Sequence, residues 1–244
     1  MSPGPGPGPG PGPDLGPAPR AAPCAVPSWR DPAVRAAAGP TLRPGGFALT
    51  ERAVALAGLR PGWPVLDVGA GSGASVARLR SRHGARAVGL EPDPGQLGAP
   101  AAPGLPLARA VAEALPVRSG SQRLVLCECV LSLVPDPATA LGEFARVLAP
   151  GGTLALADLC LPPGAPRSKA APGGAAPSCV AGAMTVAGVT ALVRAAGLDP
   201  VAVEDHGALA RELAARLALC GAAPGCAARR GYFLLLARKP GEPR

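Results

Sequence analysis

Aromatic side chains are scarce: two Trp, one Tyr and three Phe among 244 residues. Proteins that hold single-stranded nucleic acid need rings on which bases can stack, so this scarcity weighs against that class despite a net charge of +8 and a pI near 9.7. The arginines are also dispersed, as Arg78, Arg80, Arg82 and Arg86 and then Arg211 and Arg216, which reads as solvated basic faces and makes nucleic acid an unlikely partner. Histidine is nearly missing, with only His83 and His206 to serve as a neutral-pH base. No uncharged apolar run approaches the roughly 18 residues of a membrane span. The amino terminus has no Lys or Arg followed by an apolar stretch, which argues against a secretory signal. A soluble cytoplasmic protein is therefore expected. The seven cysteines are odd in number and contain no Cys-x-x-Cys pair, so free thiols are expected rather than a disulfide framework, and no metal site is assigned.

What is abundant is Gly and Pro, 34 and 33 residues, but the excess is local. Residues 3–13 alternate Pro and Gly without the every-third Gly of collagen, and residues 1–40 show no hydrophobic period, so a disordered tail is expected there, followed by one domain over 41–244. Thr50 is expected to cap a short helix to Ala57. Strands are predicted at Val65–Val68, Ala87–Leu90, Leu124–Val130, Thr153–Ala157, Val201–Val203 and Tyr232–Ala237, interleaved with helices near 74–82, 137–148, 185–196 and 208–219. Leu141, Phe144, Ala145 and Leu148 mark the buried stripe of the helix that Asp136 and Pro137 begin. Alternating strands and helices predict an α/β fold with a largely parallel sheet covered on both faces, its last strand antiparallel. The Pro/Gly/Ala/Ser-rich stretch 161–178 reads as a long loop.

The most informative segment is Asp67-Val68-Gly69-Ala70-Gly71-Ser72-Gly73-Ala74, set between a strand and a helix where open α/β sheets bind ligands. Its glycines also fit a dinucleotide fingerprint, with Glu91 about 20 residues on for ribose hydroxyls. Asp67 separates the two readings: its carboxylate repels a pyrophosphate and attracts the ammonium end of a methionine. The run resembles the first motif of class I S-adenosylmethionine-dependent methyltransferases. Further on, Glu91 resembles the family's ribose-binding acid, Ala112-Glu113-Ala114-Leu115-Pro116 its adenine segment, Leu124–Leu133 with Pro135-Asp136 its fourth strand and exit, and Leu148–Gly152 the turn before the fifth. Over residues 43–240 the resemblance implies a Rossmann-like sandwich with a mostly parallel seven-stranded sheet and S-adenosylmethionine as cofactor. It places Asp67, Gly69, Ala70, Gly71, Gly73, Glu91, Ala112, Glu113 and Cys127 at that cofactor. The chain departs from the family at Val111, ahead of the adenine segment, and at Arg123, ahead of the fourth strand, where many relatives have Asp. Cys127 and Cys129 alternate with Glu128 and so share a strand face. In related enzymes the N-terminal segment folds over the cofactor, so Arg43 and Phe47 read either as closing the pocket or as part of a linker with one anchoring aromatic.

The expected activity is methyl transfer to a small-molecule acceptor, with a noncatalytic cofactor-binding or regulatory module as the alternative. His206, in Glu204-Asp205-His206, reads equally as an oriented base and as a loop residue or helix cap. Cys179-Val180-Ala181-Gly182-Ala183 resembles the cysteine-bearing segment of arsenite methyltransferases, and Cys220 or Cys226 supplies a second cysteine at the right remove. That resemblance implies a soft, thiophilic acceptor such as trivalent arsenic, whose lone pair needs no protein base. The further cysteine those enzymes carry after the glycine-rich motif is replaced here by Ser75-Val76-Ala77.

Overall fold

The structure, a computed structural model, describes residues 32–165, 182–220 and 230–241. Its strands are β1 (Pro64–Val68), β2 (Arg86–Glu91), β3 (Leu107–Arg109), β4 (Gln122–Glu128), β5 (Leu148–Leu161), β6 (Met184–Thr185), β7 (Asp199–Asp205) and β8 (Gly231–Arg238). They form one sheet in the order β3-β2-β1-β4-β5-β8-β7, with two-residue β6 paired to β5. All pairs are parallel except those of β8, which runs antiparallel to β5 and β7. Seven strands thus form the continuous sheet, as expected, and β6 is an eighth that is too short to leave a hydrophobic pattern.

The helices are α1 (Pro32–Ala38), α2 (Gly46–Ala57), α3 (Ala74–His83), α4 (Pro94–Leu97), α5 (Pro137–Val147), α6 (Val186–Ala195) and α7 (Gly207–Leu219). Strand alternation sends Leu66, Val125, Leu156 and Leu235 to one face, where Phe144 of α5 and Val193 of α6 cover them. Val65, Leu124, Ala155 and Leu234 point to the other, under Leu49 and Ala53 of α2 and Leu79 of α3. Burial of both faces explains why the strands are continuous apolar runs. The caps are local: Asp136 accepts from Ala138 and Thr139 N–H groups at 3.1 Å, and Thr185 from Gly188 N–H at 3.1 Å.

Two expectations are corrected. Residues 32–38, assigned to the tail, form α1, because Ala37 and Val34 find an apolar partner in Leu213 and Leu217 of α7, a tertiary contact without sequence periodicity. Thr50 does not cap a helix; α2 begins four residues earlier and buries Thr50 in its middle, 1% exposed, where its hydroxyl serves the site described next. Most of the expected 161–178 loop and residues 1–31 lie outside the described residues.

Candidate functional site

The carboxyl ends of β1, β2 and β4 open into a cleft of about 510 Å³. β1 leaves the sheet at Gly69, whose N–H donates to Leu90 carbonyl at 2.8 Å and whose φ is +72°. A Cβ there would fall 2.3 Å from Val130 Cγ2, so any side chain would push the loop off the β4 exit. Gly69, Ala70, Gly71 and Ser72 line the cleft. Gly73 does not; with φ +84° it starts α3 and packs on Leu105 and Leu107. Glu91, 8% exposed, fixes this loop from the end of β2: its carboxylate accepts from Gly71 N–H at 2.8 Å and Asp93 N–H at 2.9 Å. Burial raises its pKa against those two bonds, and the remaining lone pairs are available to hydroxyl donors in the cleft.

Asp67 is 4% exposed and lines the same cleft. Burial foremost, then the nearby Glu128 carboxylate, push its pKa up to about 8, while Arg43 acts in the opposite direction. Arg43 precedes α2 and ties three elements together: its Nη2 donates to Glu128 Oε2 at 2.7 Å, Thr50 Oγ1 at 2.5 Å and Ser75 Oγ at 3.1 Å. The Thr50 hydroxyl donates onward to Glu128 Oε1 at 3.2 Å. Glu128 is thereby paired with a buried guanidinium, and Asp67 is left as the carboxyl facing the cleft, one that holds its proton up to about pH 8 unless a cation beside it favours ionisation. A cationic ligand group is what this arrangement lacks.

On the β2 side the cleft is walled by Val111, Ala112 and Glu113 and by Pro92, Asp93 and Gln96. The first segment is held from behind: Glu143 accepts Leu115 N–H at 2.8 Å, and Arg146 donates to Leu115 and Val117 carbonyls at 2.9 and 2.8 Å. Sequence reasoning missed Asp93 and Gln96, although Asp93-Pro94 is an N-cap signal, seen here as Asp93 Oδ1 accepting Gly95 N–H at 2.8 Å. It also missed Asp158, 2% exposed, which accepts from Ser132 N–H and Oγ–H, both at 2.8 Å, and from Leu159 N–H at 2.7 Å. Those bonds pin the 3-10 turn Leu131–Leu133 beneath the cleft. Burial raises the Asp158 pKa to about 6. Asp158→Asn, which offers an amide where an acceptor is needed, is expected to cost about 1–3 kcal/mol at pH 7.5. The difference from the parent should widen at pH 5, because the folded Asp158 takes up a proton below about pH 6 that the unfolded chain does not, which stabilises the parent and not the Asn variant; urea unfolding at the two pH values checks this.

Of the expected acceptor residues, the two that are described stand apart from the cleft. His206 precedes α7 and its Nε2 lies 3.1 Å from Glu204 Oε2, outside the lining of the cleft. Cys220 is exposed at the end of α7. Cys179 and Cys226 lie outside the described residues. Cys127, expected at the cofactor, is fully buried in the core among Val68, Leu131 and Leu156, because strand alternation turns it away. Glu128 and Cys129 line the cleft instead. Cys129 has left the strand, with φ +61°, so it does not share the Cys127 face. Arg43 lines the cleft, whereas Phe47 lies under Arg78, 4.6 Å from ring centre to guanidinium. A second cavity of about 430 Å³ near the ends of β5 and β7 is lined by Cys160, Thr185 and Asp205, among others. Among the described residues no group of three metal-ligating side chains occurs, and no helix is long and apolar enough to cross a membrane.

Residues 66–156 match the family model described as a methyltransferase domain. Over 89 residues the chain is 33% identical to an arsenite methyltransferase of Halobacterium salinarum, a match covering 36% of this chain and 23% of that protein, so the chain spans under a quarter of its curated relative. A solved structure of a sarcosine dimethylglycine methyltransferase of Galdieria sulphuraria, described as provisional, superposes with a TM-score of 0.66 at 16% identity, over 80% of this chain and 86% of that one. A phosphoethanolamine N-methyltransferase of Haemonchus contortus, in complex with S-adenosyl-L-methionine, gives 0.67 at 14% identity over 85% and 56%. The [4+2]-cyclase SpnF gives 0.62 at 22% identity over 80% of both chains. The chain is thus a Rossmann-like protein of the class I S-adenosylmethionine-dependent methyltransferase fold, with residues 66–156 matching a methyltransferase domain.

Proposed function

We propose that this chain binds S-adenosylmethionine across the β2–β1–β4 edge and transfers its methyl group to a small-molecule acceptor. The observation that carries this reading is the pair of buried carboxylates, Asp67 and Glu91, on either side of a glycine loop that admits backbone close to a ligand. Glu91 accepts from the ribose hydroxyls, Asp67 attracts the amino group, and Val111, Ala112 and Glu113 border the base. The cofactor supplies a methyl group already activated on a sulfonium, so the protein's part is alignment and exclusion of water. The Arg43–Glu128 pair keeps the floor dry and rigid.

The fold alone does not select the reaction, since a protein described as a [4+2]-cyclase shares it. A noncatalytic cofactor-binding module is the rival. Titration calorimetry with S-adenosylmethionine, S-adenosylhomocysteine and NAD decides the cofactor: binding of NAD alone overturns the proposal. A transfer screen with trivalent arsenic, thiols, phenols and amines then separates enzyme from binder. We further read trivalent arsenic as the acceptor, supported by the Halobacterium salinarum relative and the Cys179–Ala183 resemblance. Loss of only the metalloid activity in Cys179→Ser is the expected result, and unchanged activity removes that role. A cytoplasmic location fits Cys127, Cys160 and Cys220, which form no disulfide.

A further inference from the structure

The β2 side of the cleft holds a buried side chain whose hydrogen-bonding groups the fold does not use. Gln96 lies in α4, the short helix that follows Glu91 and is capped by Asp93. It is 6% exposed and lines the cleft. Its backbone is engaged, the N–H donating to Asp93 carbonyl at 3.1 Å and the carbonyl accepting from Ala99 N–H at 3.3 Å, but its carboxamide makes no hydrogen bond to any of the described residues. The fully enclosed side-chain polar atoms without a partner among the described residues are Arg43 Nε and Tyr232 Oη, and the Gln96 amide atoms are not with them. Each amide atom therefore keeps an opening, and the opening is to the cleft. Burying a carboxamide without a partner costs about 1–3 kcal/mol, whereas a leucine or methionine would fill the same space at no such cost. A ligand that completes the amide's hydrogen bonds gives glutamine a reason to stand here.

The position of the amide narrows what that ligand group is. Gln96 Nε2 lies 4.0 Å from the point where a Cβ on Gly71 would stand. Gly71 is the residue whose N–H donates to Glu91 Oε2 at 2.8 Å, so amide and carboxylate flank the same stretch of the glycine loop. The chain on both sides of Gln96 is fixed there. Asp93 N–H donates to Glu91 Oε1 at 2.9 Å ahead of it, and Ala101 N–H donates to Ser72 carbonyl at 2.7 Å after it. Each Glu91 oxygen has thus taken one backbone donor and, ionised, can only accept from what enters the cleft, while Gln96 supplies an N–H donor beside it. A hydroxyl satisfies both, because it donates one hydrogen bond and accepts others. A phosphate would be repelled by Glu91, and an ammonium would leave the amide N–H without an acceptor.

We propose that Gln96 is a specificity-determining residue of the nucleoside end of the cleft, its amide N–H donating to the oxygen of the same ribose hydroxyl whose proton Glu91 accepts. The assignment rests on S-adenosylmethionine as the ligand of the cleft; the pairing of donor and acceptor about one hydroxyl is a claim of its own. It makes the site a reader of that hydroxyl from both sides. A nucleoside lacking it leaves a buried carboxylate and a buried amide without partners, and sites built to bond a hydroxyl reject such analogues strongly.

The test is titration calorimetry on the full chain, parent and Gln96→Leu, with S-adenosylhomocysteine and its 2′-deoxy and 3′-deoxy analogues as probes. Gln96→Leu is expected to weaken S-adenosylhomocysteine binding about tenfold. For one of the two deoxy analogues the variant is expected to bind within about twofold of the parent, because that analogue has no hydroxyl for the amide to hold. Equal losses for all three probes mean that Gln96 only shapes the cleft, and overturn the proposal. A Gln96→Leu protein that binds S-adenosylhomocysteine as the parent does overturns it as well. Melting of the same samples shows whether the variant is folded; should it not be, Gln96→Met, unbranched and of similar length, takes its place with the same two outcomes. A parent that binds no S-adenosylhomocysteine defeats the cofactor reading and this assignment with it, whereas a parent that binds it without that coupling defeats the role of Gln96 alone.

Discussion

Asp67→Asn is expected to weaken S-adenosylmethionine binding by about two to three orders of magnitude and to raise the melting temperature of the protein without ligand. Opposite charges some 4 Å apart at an effective dielectric near 20 attract by about 4 kcal/mol, and each ~1.4 kcal/mol is tenfold in affinity. The stability gain has the same origin. The folded carboxyl binds its proton up to about pH 8, whereas an unfolded one releases it near 3.8. Between those values the folded state holds a proton that the unfolded chain has lost, so stability falls as pH rises, by up to about 1.4 kcal/mol per unit. Asn removes that slope, which urea unfolding at pH 6 and pH 8 reads directly. The parent's affinity for the cationic cofactor should rise with pH up to about 8 and then level, because binding must expel the Asp67 proton. Calorimetry in buffers of different ionisation enthalpy should show that proton released at pH 7.

Arg43→Ala is expected to destabilise the protein by about 3–5 kcal/mol, because it leaves Glu128, with a side chain only 2% exposed, charged and without its partner. For a chain of this size that is a fall of about 10 °C or more in melting temperature. Paired replacement by Arg43→Met and Glu128→Gln should recover most of the loss, since neither buried charge remains. A single-variant loss below about 1 kcal/mol would mean that water reaches Glu128 and that the floor of the cleft is not dry. Calorimetric melting of the parent, the single variant and the paired variant distinguishes these outcomes.

Much of this site is legible along the chain because its parts are local. The Asp67–Gly73 loop and Glu91 each terminate a short apolar run, and a parallel sheet must deliver such ends to one edge. The caps of α5 and α6 are equally local, being set by Asp136-Pro137 and Thr185. Cys129 was given the face of Cys127 because strand alternation was continued past Glu128, where the strand stops; the left-handed backbone at Cys129 has no signature in a non-glycine residue. Thr50 was misread for a related reason: a threonine ahead of an apolar run looks like a cap whether it begins a helix or faces a buried carboxylate.

The amino-acid order alone determined the layered α/β fold, the edge of the sheet that carries the cleft, and the carboxyl of Asp67 that lines it, because each follows from the period of apolar residues and the chemistry of a few turns. Only the tertiary structure decided that Arg43, Thr50, Ser75 and Glu128 form one buried cluster and that α1 docks on α7. These partners are separated by tens of residues, and their meeting is set by strand order and packing, which no local window of sequence contains.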